Sequence, residues 1–206
     1  MGMARRLGRR ALRRVRRLLG RGSYGFVYHP AYEYVVPGIQ FDPLRGQRVL
    51  AFLYDEGLIS ASDLTRPLPA SFEQISRIHS SEYLESFDLP ETMDAVLGYR
   101  TDEDRWQEFV DAQRLAAGGT IQATRRALRT GGVAANLIGG FHHALPDRGL
   151  GFCLLNDVAI AVAWARARGF DEPVLIVDLD LHDGNGTRAA FAEDPTVYTF
   201  SIHNET

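Results

Sequence analysis

A chain of 206 residues, 45% hydrophobic and 24% charged, is long enough to bury one real core and has the composition of a soluble globular protein. Its single cysteine, Cys153, excludes an internal disulfide framework and fits a reducing, cytoplasmic setting, and no apolar run reaches the roughly 20 residues of a membrane-spanning helix. The net charge of −3 conceals an asymmetry, because all 23 basic residues are arginine, nine of them lie within residues 1–22 beside no acid, and the other 14 face all 26 acids.

Residues 1–23 read as an Arg-rich, disordered leader with Leu7, Leu12, Val15, Leu18 and Leu19 set among arginine pairs. The same pattern suits an amphipathic helix on an anionic membrane or a nucleic acid, or an organellar targeting peptide. It lacks the apolar stretch of a secretory signal. The folded domain is expected over 24–206.

Gly25-Phe26-Val27-Tyr28 reads as a first strand closed by His29-Pro30, followed by a polar loop holding Pro37-Gly38 and Asp42-Pro43. Apolar positions 49, 50, 52 and 53 predict a helix that stops near Gly57. Ser71-Phe72-Glu73-Gln74 has the form of a capping box and opens a short helix to His79, and residues 80–87 predict another. Residues 101–129 read as one long helix, with Trp106, Phe109, Val110, Ala112, Ala116, Ala117, Ile121 and Ala127 on its apolar face. Gly118-Gly119 at its middle costs about 1 kcal/mol per glycine against alanine, which close packing against a neighbour would offset.

Beyond Thr130-Gly131-Gly132 the pattern changes. A short strand at 133–138 leads into a glycine-rich loop from Gly139 to Cys153, then a helix capped by Asn156 or Asp157 and ended by Gly169. A strand at 174–178, a segment to Phe191 and a strand at 196–202 complete the series. This alternation predicts an α/β fold with a mostly parallel sheet, in one domain.

The chemistry concentrates at the end of the strand Val174-Leu175-Ile176-Val177, whose continuous apolar character predicts burial on both faces. Asp178, Asp180 and His182 follow at alternate positions, and a strand's period of two can set all three on one face. Two carboxylates and an imidazole buried without a counter-charge would cost several kcal/mol per ion, so the pattern points to zinc or another divalent metal at the carboxyl edge of the sheet. His142-His143 leave their own buried strand in the same kind of place. Asp178 and Asn185 are the candidates to orient them, fixing each imidazole in one tautomer for general acid–base work.

GGFHHALPDRGLGFCLLNDVAIA and VLIVDLDLHDGNGT resemble the two signature blocks of the zinc-dependent histone deacetylase superfamily, which includes acetylpolyamine amidohydrolases and acetoin-utilisation proteins. Weaker similarity runs through YHPAYE (28–33), RIHSSEYLESF (77–87), LAAGGTIQA (115–123) and VYTFSIH (197–203), so it covers residues 24–203. The stretch 38–59 lacks the His-Pro-Glu-x-Pro-x-Arg run of many members and looks class IV-like. The resemblance implies a three-layer arginase/deacetylase-like α/β fold with a mostly parallel central sheet, truncated at its carboxyl side. It implies an amidohydrolase that removes acyl groups, acetyl above all, from a lysine side chain or a small acetylated amine by metal-activated water. Position by position, Asp180 and His182 match two of three zinc ligands, and His142 and His143 match the catalytic histidines. Asp178 and Asn185 match their orienting partners, and Asn185 would do so without adding charge. Gly151 and Phe152 match the tunnel that grips the acyl-lysine chain. Asp178, Asp180, His182, Ser201 and Ile202 match a structural potassium site built largely of backbone carbonyls. Cys153 is expected to pack beside the tunnel.

In this superfamily the third zinc ligand, an aspartate, and the transition-state tyrosine both lie beyond the second signature block. Neither loop occurs by Thr206, so the chain as given is expected to load zinc weakly and to show no deacetylase activity alone. An uncovered apolar sheet edge is expected for the same reason. Two other readings remain open. An arginase-like dinuclear manganese ureohydrolase would share the architecture, although the histidine pair and Gly-Phe tunnel argue against it. A non-enzymatic fragment could bind anionic partners through residues 1–22.

Overall fold

A computed structural model describes residues 24–33, 42–100 and 105–204. The expected leader, the Pro37-Gly38 loop and the first turn of the long helix lie outside the described residues. Strand β1 (Tyr24–Val27) is followed by a 3-10 turn (Pro30–Glu33) and helix α1 (Arg45–Asp55). Then come β2 (Leu64–Thr65), α2 (Phe72–Ile75), α3 (Ser81–Glu85), α4 (Pro90–Leu97) and the long α5 (Trp106–Thr130). The chain continues through β3 (Val133–Asn136), α6 (Asp157–Arg166), β4 (Val174–Asp178), α7 (Asn185–Ala190) and β5 (Val197–Ser201).

Every pairing among these strands is parallel, as the alternation predicts. β1 lies between β2 and β3 in one ladder, and β4 pairs with β5 in register from Val174–Val197 to Asp178–Ser201 in another. The sheet hydrogen bonds thus fall into two pieces, with the glycine-rich loop and α6 between them in sequence. The main core sits among the helices. Ile75, Tyr83, Met93, Val96, Phe109, Ile121, Leu154, Leu155, Ile160 and Trp164 form one buried cluster.

Local signals in the sequence account for most of these elements. The capping box at Ser71 forms in full, with the Ser71 hydroxyl accepting from Gln74 N and the Gln74 side chain accepting from Ser71 N. The Gly118-Gly119 pair in α5 lets a neighbouring backbone and a neighbouring side chain approach the helix closely. A Cβ on Gly118 would collide with the Leu68 carbonyl, and one on Gly119 with the Tyr32 hydroxyl. That contact is what the two glycines supply in return for their helix propensity. Two elements do not show in the apolar pattern. β2 is only two residues long, and α4 is marked by punctuation instead, with Pro90 at its first turn and Gly98 left-handed at its end.

One expectation fails. β4 is not buried on both faces: Leu175 and Val177 are 65% and 52% exposed, as are Tyr198 and Phe200 beside them on β5 at 60% and 51%. On the other face Val174 and Ile176 pack with Ala159, Phe191 and Val197. The continuous apolar run meant two faces fit for burial, but α6 and α7 cover one of them within this chain. The exposed face is an apolar patch of the kind that marks a contact surface.

Candidate active site

The tandem histidines sit just past β3, in a loop where the chain has left the sheet and its own ladder can no longer satisfy the backbone. His142 is buried, and its Nδ1 lies 2.6 Å from Asp178 Oδ2 at the end of β4. His143 Nδ1 lies 2.8 Å from Asn185 Oδ1, at the start of α7. An ionised carboxylate only accepts, so His142 donates from Nδ1, and the amide oxygen of Asn185 gives His143 the same tautomer. Each ring therefore keeps Nε2 free of these partners. The two ring centroids are 4.2 Å apart.

Asp180 and His182 reach the same place by a different route. Strand β4 ends at Asp178, so the period of two does not carry through to them. Two successive side-chain turns do the work. Asp180 N donates to Asp178 Oδ1 at 3.0 Å, and His182 N donates to Asp180 Oδ1 at 2.9 Å. The expectation of three residues on one strand face is corrected accordingly: aspartates bonding the backbone two residues on re-aim the chain at each step. His182 Nδ1 and His142 Nε2 end 3.1 and 3.7 Å from Asp180 Oδ1, with the Asp180 and His182 side chains 54% and 55% exposed. Partial burial raises the Asp180 carboxyl, but the bond from His182 N and the nearby His142 and His182 rings outweigh it and hold the group below its ordinary value.

These groups line a cavity of about 490 Å³ with Tyr32, Arg45, Phe109, Gln113, Phe141, Gly151, Phe152 and Cys153. Gly151 lies against the His143 ring. Phe152 adopts φ 65°, uncommon for a residue with a side chain, and two bonds hold it there: its N–H donates to Val96 O at 2.8 Å and its carbonyl accepts from Gln113 Nε2 at 3.2 Å. Cys153 is buried, and burial pushes its thiol up to about 12, so it packs as a neutral side chain. Ser201 pairs with Asp178 in the β4–β5 ladder, and Ile202 N donates to Asp178 O at 3.1 Å.

Among the described residues, no group of three or more His, Cys, Asp or Glu is placed to hold a metal ion. The fit to zinc is that of a partial site. Asp180 and His182 offer one carboxylate and one imidazole, two donor types that suit zinc, and in this structure they bond to each other, His182 Nδ1 to Asp180 Oδ1 at 3.1 Å. No described helix is long and apolar enough to cross a membrane.

Several residues at the site escaped the sequence reading. Gln113, Asn136, Thr120, His79 and Thr187 are polar groups on buried or half-buried positions, and Asn156 and Asp157 read only as helix caps. The available signal was Gln113 and Thr120 interrupting the apolar face of α5.

A parallel α/β scaffold sets paired histidines and carboxylates near its carboxyl edge, and the comparisons say to which family this arrangement belongs. The histone deacetylase domain matches residues 39–206, so the chain belongs to the histone deacetylase family of deacetylase-type hydrolases. An uncharacterized protein of Picosynechococcus sp. is 37% identical over 184 residues, covering 89% of this chain and 61% of that protein. Histone deacetylase 2 of Arabidopsis thaliana and the acetoin utilization protein AcuC of Bacillus subtilis are each 31% identical, covering 86% of this chain and 48% of their own lengths. The crystal structure of a histone deacetylase homolog from Aquifex aeolicus superposes with a TM-score of 0.70 at 25% identity, over 89% of this chain and 51% of that one. The chain thus spans about half the length of most of these relatives.

Proposed function

We propose that the chain carries the histidine pair and two zinc ligands of a hydrolase that removes acyl groups from lysine or a small acylated amine. The observation that carries this reading is the convergence of the His142–Asp178 and His143–Asn185 pairs with Asp180 and His182 at one cavity. When bound by Asp180 and His182, zinc would polarise the acyl carbonyl and make water acidic enough to attack. His142 Nε2 would accept the proton from that water, with Asp178 stabilising the imidazolium through Nδ1. His143, entering the reaction protonated on both ring nitrogens, would donate its Nε2 proton to the leaving amine, with Asn185 holding its ring through Nδ1 and adding no charge. Gly151 and Phe152, both in the cavity wall, would flank the acyl chain. Asp178, Asp180, His182, Ser201 and Ile202 would form a structural potassium site. The bonds from Ile202 N to Asp178 O and from Asn204 N to Leu181 O, at 3.1 and 2.9 Å, bring those two backbone segments side by side and support this reading.

Two protein ligands out of about three make a weak zinc site. Titration of the purified chain with zinc is expected to saturate at one ion, weakly, with binding lost in the Asp180→Ala/His182→Ala double variant. Saturation at two manganese ions would favour a dinuclear ureohydrolase instead. Turnover of acetyl-lysine peptide or an acetylated polyamine is expected to be undetectable for these 206 residues. Robust turnover would overturn the assignment of essential groups outside them.

A further inference from the structure

The loop 139–145 carries both histidines and has no ladder of its own, so its buried backbone groups must find partners elsewhere. Two adjacent residues, Asp157 and Asn156, supply three of them. Asp157, the first residue of α6 and almost wholly buried, accepts from Gly140 N at 2.9 Å and Phe141 N at 2.7 Å. Its second oxygen accepts from the Thr120 hydroxyl at 2.5 Å, which ties it to α5. Gly139 has φ 125° and no room for a side chain, because a Cβ there would meet the Asp157 carboxylate. The carboxylate therefore presses directly on the chain entering the histidine pair.

Asn156 holds the other flank. Its amide nitrogen donates to Ala144 O at 3.2 Å and to the Thr187 hydroxyl at 3.1 Å, while its oxygen caps α6 by accepting from Ala159 N at 3.0 Å. Thr187 N in turn donates to His142 O at 3.1 Å. His79 closes the set, with Nδ1 2.9 Å from Leu145 O and Nε2 accepting from Asn156 N at 3.1 Å. The histidines are thus gripped upstream by Asp157 and downstream by Asn156, two consecutive side chains on one rigid helix end.

We infer that Asn156 and Asp157 are positioning residues that set His142 and His143 independently, Asp157 acting through the backbone before His142 and Asn156 through the backbone after His143. The inference rests on the proposed role of the histidines, but its test does not require activity. In the full chain labelled with 15N-histidine, exchange of the His142 and His143 Nδ1 protons with water reports the bonds to Asp178 and Asn185 separately. Asp157→Ala is expected to speed His142 exchange at least tenfold with a smaller effect on His143. Asn156→Ser, which keeps a capping oxygen but loses both amide donations, should do the reverse. Asp157→Asn keeps an oxygen for Gly140 and Phe141 and should restore the slow exchange of His142. Equal effects on both rings in both variants, or none in either, would overturn the inference. Where Asp157→Ala fails to fold, Thr120→Val and Thr187→Val each remove one hydroxyl from the clamp; unchanged exchange in both would overturn it equally. Zinc binding by the unsubstituted chain reads the functional proposal separately, so a chain that binds no zinc but shows the split exchange pattern loses only the former.

Discussion

The two halves of the site are built to opposite standards. The histidine half is held at Nδ1 of both rings: the His142 side chain is 8% exposed, Asp157 is buried, and each ring has a fixed partner on a different element. The proposed metal half is open, with Asp180 and His182 more than half exposed and held chiefly by short side-chain turns within their own segment. Under the proposed roles, a proton-transfer group is oriented by a rigid protein partner, whereas the ligands are left for the ion to complete. The histidine half draws its rigidity from the helical core, and the metal half sits next to the uncovered face of β4 and β5.

That contrast can be broken by substitution. Asp157→Ala removes a buried acceptor and strands the backbone N–H groups of Gly140 and Phe141, so urea unfolding should show a loss of about 4 kcal/mol. Asp180→Ala, at an exposed position, should change stability by less than about 0.5 kcal/mol in the same measurement while weakening zinc binding. Equal losses would contradict the division.

A pH titration sharpens it next. His79 accepts from Asn156 N, which requires a bare Nε2, and burial lowers its value from 6.5 to about 4. The neutral form is favoured in the folded state, so this contribution is complete above pH 6.5 and is lost as pH falls toward 4. The loss amounts to about 3 kcal/mol at the lower limit. The slope of stability against pH between those values should flatten in His79→Gln, and an unchanged slope would remove His79 from the clamp. The smallest effect is expected from Leu175→Ser on the open face, which should leave stability within about 0.5 kcal/mol in the same urea unfolding.

Much of this was legible in the sequence. Short-range patterns found the capping box at Ser71, the glycine contact in α5 and the strand–loop–helix order, because each depends on neighbouring residues. The residue pattern singled out His142, His143, Asp178 and Asn185 and the family resemblance matched them to roles; the structure pairs them as the pattern suggested, from where β4 and α7 begin and end. The route by which Asp180 and His182 converge was not legible, because a repeated Asp-x pattern reads equally as a strand face or as two side-chain turns. The exposed face of β4 was hidden for a different reason: an apolar run records what a face can bury, not what lies against it. The clamp at Asn156 and Asp157 escaped because capping explained both residues before their long-range partners were known.

The central claim is that the histidine half is assembled by the protein before any metal arrives. The most direct measurement is the exchange of the His142 and His143 Nδ1 protons in chain stripped of metal, followed again as zinc is added. Slow exchange of both protons without zinc, unchanged when the His182 signal shifts on zinc addition, is the predicted result. Protons that become slow only after zinc binds would contradict it.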